Sequence, residues 1–588
     1  MQQAAITHRS ALPFRYAIDD HTVRIRLKAA CSDLTGCTLL YGDKFNWGSR
    51  RKIHMRVIAS DGQHDYWQAD VAPEDLRLCY AFYLESGNEG LWYTEMGFSA
   101  VHSEEAHPLH YFEFPFLHAK ERIVPPAWAC EAVIYQVFPD RYHNGDPGND
   151  PPNTAAWHSE PTHRNTFGGD LQGIIDKLDH IQAVGANVLY LTPIFESPSS
   201  HKYDTSNYYR IDPAFGTADT LKALVDRCHS RGIRVVLDAV FNHSGNGFAP
   251  FVEAKEKGAA SPYYGWFHFI DPQSEVGNPL SYRAFGFEPN MPKLNTGHPM
   301  AANYLIEAAL YWTKEAGIDG WRLDVANEVD HEFWRAFRRR LKAVRPDIWM
   351  IGEVWHDALP WLGGDQFDSV MNYPLRTLAL DFFVNRQIDK SSFTKALIRL
   401  LMQYPDPINA NLFNMLGSHD TARLITECNG CKDVLKRLLV FQYTFPGVPS
   451  IYYGDEIGMA GGGDPECRRT MVWDMDVWDA DILQHVQKLA AIRKHEKALH
   501  NAVIRFVETQ SEDLLFYIRH MDDTAVLVVM NLSDSITVEE FSLSRSGMTF
   551  APGTYQDWLT GRGVSAEHCL IKLCLPPGES VVVPMRSE

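Results

Sequence analysis

Three carboxylates stand where short apolar runs end, in separated parts of the chain. Asp324 follows Gly320-Trp321-Arg322-Leu323, Glu353 follows Trp349-Met350-Ile351-Gly352, and Asp420, preceded by His419, follows Asn414-Met415-Leu416-Gly417-Ser418. Asn242 and His243 close a further run, Val235 to Val240. A single acid at a strand end has an ordinary explanation, since it caps the helix that follows. Three such acids, with Arg322 two residues before Asp324, are not explained that way. Residues 322 and 324 point to the same side of an extended chain, so the guanidinium can hold Asp324 ionised by Coulomb attraction. One carboxylate kept charged and a second kept protonated until it donates make up the pair that cleaves a glycosidic bond with retention, at a separation of about 5–5.5 Å.

The elements that would bring these residues together are legible in the same rhythm. From about residue 128, short β-branched runs alternate with amphipathic segments such as Thr220–His229 and His331–Val344. Eight runs are predicted to be strands: Val133–Phe138, Val188–Leu191, Val235–Val240, Gly320–Val325, Trp349–Val354, Ser369–Tyr373, Asn414–His419 and Pro449–Tyr453. Strand and helix in alternation argue for parallel pairing, and eight units fit a closed (β/α)8 barrel with its catalytic groups at the C-terminal ends of the strands. The gap between the third and fourth runs is too long for one crossover. Its last part, Asn303–Ala316, reads as the helix before the fourth strand; the rest, about 244–299, is rich in aromatics, Gly and Pro and reads as an inserted subdomain over the barrel mouth. Residues 1–122 carry alternating and apolar runs (Val23–Leu27, Leu78–Leu84) separated by turn clusters such as Glu85–Gly90, the pattern of a β-sandwich. The stretch 123–500 is the barrel, and 501–588, with Leu514–Ile518 and Ala525–Met530, returns to β as a second, smaller sandwich.

Hydrophobic residues make up 45% and charged residues 22% of the 588, an ordinary globular composition. The net charge of -19 disfavours nucleic acid and anionic lipid as partners. No apolar run is long enough to span a bilayer, and Met1–Ile6 lacks the basic and apolar regions of a secretory signal, so a cytoplasmic protein is expected. The ten cysteines then read as reduced thiols, although Cys31 with Cys37, or Cys428 with Cys431, could bridge in an oxidising compartment.

Four segments resemble the α-amylase family of glycoside hydrolases, in the family's order: Asp238-Ala239-Val240-Phe241-Asn242-His243, Gly320 to Glu328, Gly352-Glu353-Val354-Trp355-His356, and Leu416-Gly417-Ser418-His419-Asp420. The resemblance implies that Asp324 is the nucleophile, Glu353 the general acid and base, and Asp420 a third carboxylate that binds sugar hydroxyls and favours the distorted ring. It implies that Arg322, His243 and His419 position the sugar and Asp324, and that Tyr203, in His201-Lys202-Tyr203-Asp204, stacks on the scissile sugar. His201, Asp464 and Arg468 resemble further sugar-binding residues; a loop ion pair is the alternative for the last two.

Met291-Pro292-Lys293-Leu294-Asn295 and Val325-Ala326-Asn327-Glu328 resemble the neopullulanase, cyclomaltodextrinase and maltogenic amylase group. That likeness implies cleavage of α-1,4 bonds in cyclodextrins, maltooligosaccharides and pullulan, with some α-1,6 cleavage and transglycosylation. It also implies a homodimer formed through the N-terminal, carbohydrate-binding-like domain. Trp355, Phe285, Phe287 and Phe45 are candidate aromatic contacts for sugar, with core packing an equal explanation for Phe45. The run Asn144-Gly145-Asp146-Pro147-Gly148-Asn149-Asp150 concentrates oxygen ligands of the kind calcium takes, or else forms a polar turn. Gly168 and Asp170 resemble the second half of a single structural Ca2+ site, so Asn144, Asp146, Asn149, Asp150, Gly168 and Asp170 are its candidate ligands. An oligo-1,6-glucosidase or isomerising relative is the alternative within the family; a non-catalytic carbohydrate-binding scaffold is the alternative outside it.

Overall fold

The computed structural model describes the chain apart from residues 101–107, 109, 271–280, 543–549, 568, 569, 587 and 588. It forms two compact units, one of Met1–Val124, Leu362–Gly364 and Arg386–Asn409, the other of Pro125–Trp361, Asp365–Asn385 and Ala410–Glu588.

In the first unit two antiparallel sheets enclose an apolar core. Val23–Ala30 pairs with His64–Val71 along its full length, and Gly36–Gly42 pairs with Leu78–Ser86. Inward positions two apart, such as Val23, Ile25 and Leu27 on one sheet and Tyr80, Phe82 and Leu84 on the other, fill the space between. The cluster Glu85–Gly90 does turn the chain, with Ser86 opposite Glu89 and Gly87 at φ +58°. Residues 386–409, expected to belong to the barrel, fold with this unit instead. The reason is electrostatic: Asp406, just beyond the helix Lys390–Gln403, pairs with both Arg24 and the buried Arg26.

The second unit is built on eight parallel strands: β1 Ile134–Val137, β2 Val188–Leu191, β3 Arg234–Ala239, β4 Gly320–Leu323, β5 Trp349–Gly352, β6 Ser369–Val370, β7 Phe413–Met415 and β8 Val448–Tyr452. They pair in the order β6-β5-β4-β3-β2-β1-β8-β7, and a single parallel bridge, Met371 to Phe413, joins the two ends. Side chains reinforce that seam, since Asn372 Nδ2 donates to Asn414 Oδ1 (2.9 Å) and Ser369 Oγ to the Asn411 carbonyl (2.6 Å).

The strands are apolar because both faces are covered. Helix Ala218–Ser230 starts at the capping box of Thr217 and Thr220, and helix His331–Val344 at Asp330, whose carboxylate accepts the Phe333 N–H. The second helix buries Phe333, Trp334, Phe337 and Leu341, one stripe of a 3.6-residue period. Inside the barrel, Ile134, Val188, Val236, Trp349, Phe413 and Val448 make an apolar floor. Because side chains alternate along a strand, the residues two further on face the same lumen, one layer nearer the mouth. On β1, β3 and β4 those are Gln136, Asp238 and Arg322.

Between β3 and β4 lie helix Ala249–Lys257 and a set of isolated bridges, Phe267 to Leu294, Ala284 to Pro292 and His243 to Lys293. The expected insertion, about 244–299, includes 271–280, which fall outside the described residues. The helix before β4 begins at Pro299 rather than Asn303, since proline at the first helical position has its φ already set. After helix Ala480–His495, two four-stranded antiparallel sheets enclose a core that includes Phe516, Leu527, Val529, Phe541 and Ile571.

Candidate active site

The centre of the site is one guanidinium. Asp238 and Arg322 are register partners on β3 and β4, and Arg322 NH1 donates to both Asp238 oxygens at 3.0 and 3.1 Å. The same NH1 donates to Asp324 Oδ1 at 2.7 Å, and NH2 is ion-paired with Glu353 Oε2 at 2.8 Å. The strand ladder carries on past β4 and β5, with Asp324 N–H bonded to the Ala239 carbonyl (3.0 Å) and Glu353 N–H to the Leu323 carbonyl (2.9 Å). Asp324 and Glu353 therefore stand at the tips of adjacent strands, which run about 4.8 Å apart. Both are buried, at 5% and 6% exposure.

Burial and two competing carboxylates outweigh the effect of Arg322 on Asp324. Burial raises the Asp324 carboxyl well above the usual carboxylate range; Arg322 opposes this, and the charges on Glu353 and Asp238 add to it. Burial raises Asp238 in the same direction against the pull of Arg322. Arg322 does favour ionised Asp324, as expected from the sequence, but burial first, and then the two acids that share the guanidinium, outweigh it.

Glu353 is held on every side. Its Oε2 also accepts the Val325 N–H (2.9 Å), and its Oε1 accepts the Trp355 indole N–H (3.1 Å) and the Tyr373 hydroxyl (3.5 Å). Trp355 stacks on Tyr373 at 3.6 Å between ring centroids and is 54% exposed, so one flat face of the pair looks outward. Val325 has φ 43° and ψ 44°, a left-handed conformation that a β-branched residue adopts only under constraint, and that conformation aims its N–H at Glu353.

At the mouth, Asp420 Oδ1 accepts from Arg468 NH2 (3.1 Å), Oδ2 lies 3.2 Å from His419 Nε2, and the side chain is partly open to solvent. Arg468 also pairs with Asp464 (3.1 Å) and donates to the His419 carbonyl (2.8 Å). Tyr203 lies parallel to His419, with ring planes 7° apart, and its hydroxyl reaches His419 Nε2 (2.6 Å) and Asp238 Oδ2 (3.0 Å). His201 also stacks on Tyr203 (6.0 Å, 27°), and its Nδ1 accepts the Tyr203 N–H. His243 packs against Phe285 (5.2 Å, 24°), and burial pushes its imidazole down to about 3, so it is neutral. Phe287 stays 65% exposed, and among the described residues no ring contact joins it to this cluster. Phe45, in the first unit, is 76% exposed with Lys44 and Arg77 over its ring, which removes core packing as its explanation.

Four members of this constellation were absent from the sequence-derived set: Asp238, Gln136, Tyr190 and Tyr373. Asp238 and Gln136 lie inside strands rather than at their ends, and the signal for them was a polar residue in an otherwise apolar run. Tyr190 donates to Asp238 Oδ2 (2.6 Å), but a buried tyrosine in Val188–Leu191 reads as core.

Paired carboxylates with a third beside them, aromatic faces alongside and neutral imidazoles are the equipment of glycosyl transfer. The family described as alpha amylase, catalytic domain, matches residues 136–480, and that described as alpha amylase, N-terminal Ig-like domain, matches 1–118. The chain belongs to the α-amylase family. Within the family, it is 45% identical to a cyclomaltodextrinase of Geobacillus thermopakistaniensis, with all of both chains covered. It is 40% identical to neopullulanase 2 of Thermoactinomyces vulgaris over 98% of this chain and 99% of that one. A solved cyclomaltodextrinase superposes with a TM-score of 0.94 at 42% identity, covering all of both chains. This α-amylase family member is a glycoside hydrolase of the cyclomaltodextrinase, maltogenic amylase and neopullulanase type, acting on α-glucans. Among the described residues no helix is long and apolar enough to cross a membrane, and the nine cysteines described are free thiols.

The oxygen-rich loop of this family member presents an unusual set of acceptors. Asn144 Oδ1 and Asn149 Oδ1 are buried without a hydrogen-bond donor among the described residues, while their amide nitrogens donate to Asp150 Oδ1 (2.7 Å) and Asp170 Oδ2 (3.0 Å). A Cβ at Gly168 (φ +79°) would fall 2.3 Å from Asp150 Oδ1, so only glycine lets that carboxylate lie there. Asp170, another candidate ligand, also organises this loop. Its two oxygens accept four N–H groups, from Gly145 (3.1 Å), Asp146 (2.9 Å), Asn149 (3.0 Å) and Gly173 (2.6 Å). Asp146 Oδ1 accepts the Gly148 N–H at 3.0 Å.

Proposed function

We propose that the protein hydrolyses α-1,4-glucosidic bonds of cyclodextrins, maltooligosaccharides and pullulan with retention, with some α-1,6 cleavage and transglycosylation. A carboxylate oxygen of Asp324 attacks the anomeric carbon, and the bond to the leaving oxygen breaks as Glu353 gives that oxygen its proton. Glu353, now a carboxylate, takes a proton from water; the water oxygen bonds to the anomeric carbon and Asp324 leaves. Asp420, Arg468, His419, His243 and Tyr203 bind and orient the sugar, and Trp355 with Tyr373 offers it an apolar face. The observation that carries this reading is the pair of Arg322 contacts, which fixes Asp324 and Glu353 within the span of one guanidinium.

The orphaned amide oxygens of Asn144 and Asn149, with Asp150 and the Gly168 carbonyl, suit a hard cation, and we assign them to one structural Ca2+. Asp146 and Asp170 belong to the same candidate set, and Asp170 also orders the loop through the N–H bonds it accepts. The metal would fasten the loop and take no part in bond cleavage. A homodimer through the N-terminal β domain and a cytoplasmic location complete the proposal; exposed Phe45 and the free thiols support them.

Glu353→Gln tests the assignment, because the amide fills the same space but donates no catalytic proton. Turnover of β-cyclodextrin should vanish while calorimetric binding of the ligand persists; undiminished turnover would overturn it. With the wild-type enzyme, panose from pullulan and linear products from cyclodextrin are expected. Glucose from isomaltose alone would mark an oligo-1,6-glucosidase, and no turnover of any of them a binding scaffold.

A further inference from the structure

The mechanism above uses His419 but leaves open which ring nitrogen carries its hydrogen. Burial and the nearby Arg468 and Arg322 charges push the imidazole well below its ordinary range, so the ring is neutral and one nitrogen donates while the other accepts. The choice is decided at the far end of a buried chain. Burial raises the Asp238 carboxyl, but both of its oxygens accept from Arg322 NH1, which favours the carboxylate form, and a carboxylate only accepts. The hydroxyls of Tyr190 (2.6 Å) and Tyr203 (3.0 Å) therefore donate to Asp238 Oδ2. With its hydrogen spent on Asp238, Tyr203 Oη can only accept from His419 Nε2, 2.6 Å away. His419 Nε2 must then carry the hydrogen, and Nδ1 must be the acceptor.

The group facing Nδ1 is the side-chain amide of Gln136, whose Nε2 lies 2.7 Å from it. Gln136 is fully buried on β1, and its Oε1 has no hydrogen-bond partner among the described residues. An unpaired buried carbonyl oxygen costs about 1–3 kcal/mol. A glutamine serving stability would turn that oxygen toward a donor. Here the amide instead presents N–H to the imidazole, and the direction deduced from Asp238 requires this.

We propose that Gln136 is a positioning residue that locks His419 in the Nε2–H tautomer, so that its one hydrogen points into the site, toward Tyr203 Oη and the neighbouring Asp420. When sugar binds, that hydrogen is available to a substrate hydroxyl. The inference rests on the functional reading above only for this last step; the tautomer itself is a property of the free protein.

The experiment is 15N NMR of histidine-labelled full-length protein, with His419 assigned by the signal lost in His419→Gln, together with steady-state kinetics on β-cyclodextrin. In the wild type, His419 Nδ1 should appear unprotonated and Nε2 protonated. Gln136→Glu keeps the shape and, once its buried carboxyl is ionised at high pH, offers only acceptors, so Nδ1 should gain a proton there. Gln136→Met removes the bond and should release the tautomer lock. Both variants should lose about tenfold in activity, the rate equivalent of one lost hydrogen bond, and most of the loss should fall on kcat rather than KM. A wild-type His419 protonated at Nδ1, or variants whose tautomer and kcat match the wild type, would overturn the role of Gln136. The two readings fail separately, since an active Glu353→Gln enzyme sinks the catalytic assignment and leaves the tautomer result standing.

Discussion

Replacing Arg322 by Met keeps the bulk of the side chain and deletes the one cation that Asp238, Asp324 and Glu353 share. All four residues are buried, so the change leaves three carboxylates without a counter-charge. Breaking a buried pair in this way costs about 3–5 kcal/mol. The carboxylates can escape part of that cost only by taking up protons, and each unit of pKa rise corresponds to about 1.4 kcal/mol. The pH dependence follows from the sign of the shift. Asp324 and Asp238 already titrate above the ordinary value of 3.8 in the native state, and without Arg322 they titrate higher still. A raised carboxyl makes the native state hold more protons than the unfolded chain. Its contribution therefore falls as pH rises from the ordinary value through the raised one. The gap between Arg322→Met and wild type should be smallest near pH 5 and wider at pH 8. Thermal unfolding at the two pH values, followed by tryptophan fluorescence, measures it. A gap independent of pH, or wider at pH 5, would refute the account of three acids on one guanidinium. Arg322→Lys, a point charge that cannot span three partners, should fall between the two proteins.

Val325→Gly should remove left-handed strain of about 1–2 kcal/mol, offset in part by the flexibility of glycine, and should lower kcat as the N–H held on Glu353 loosens; unchanged kcat would separate the strain from the chemistry. In the pH profile of kcat/KM, the acidic limb should lie above the ordinary aspartate value, because activity needs ionised Asp324 and its carboxyl is raised; a limb at or below about 3.9 would contradict this. His243 and His419 are held neutral by burial, so no histidine limb is expected from them between pH 5 and 8. Chelation should remove about one calcium per chain and lower the thermal midpoint, by an amount equivalent to about 2.7 kcal/mol when free Ca2+ had stood at one hundred times its Kd. Metal content and midpoint both unchanged would count against the site.

The barrel was legible because its strands are buried on both faces and read as unbroken apolar runs, and because acids at strand ends interrupt the pattern where chemistry sits. Asp324, Glu353 and Asp420 were found on that signal, and the structure places all three around one mouth. Asp238 and Gln136 were missed because their function depends on which neighbours the strand register supplies, and register is a long-range property. The same reason explains residues 386–409, whose place beside the N-terminal sheets is set by Asp406 meeting two arginines nearly four hundred positions away. The backbone at Val325 gave no sign in the sequence, since valine is among the last residues one would assign a left-handed conformation.

The account stands on Asp324 forming a bond to sugar while Glu353 supplies the proton. An activated α-maltosyl fluoride offered to the Glu353→Gln protein needs no protonation to leave, and the missing base slows release of the intermediate. Mass spectrometry of the digested protein should then find one maltosyl group esterified to Asp324. A maltosyl group on any other residue, or rapid turnover of the fluoride with an inverted product and no adduct, would contradict it.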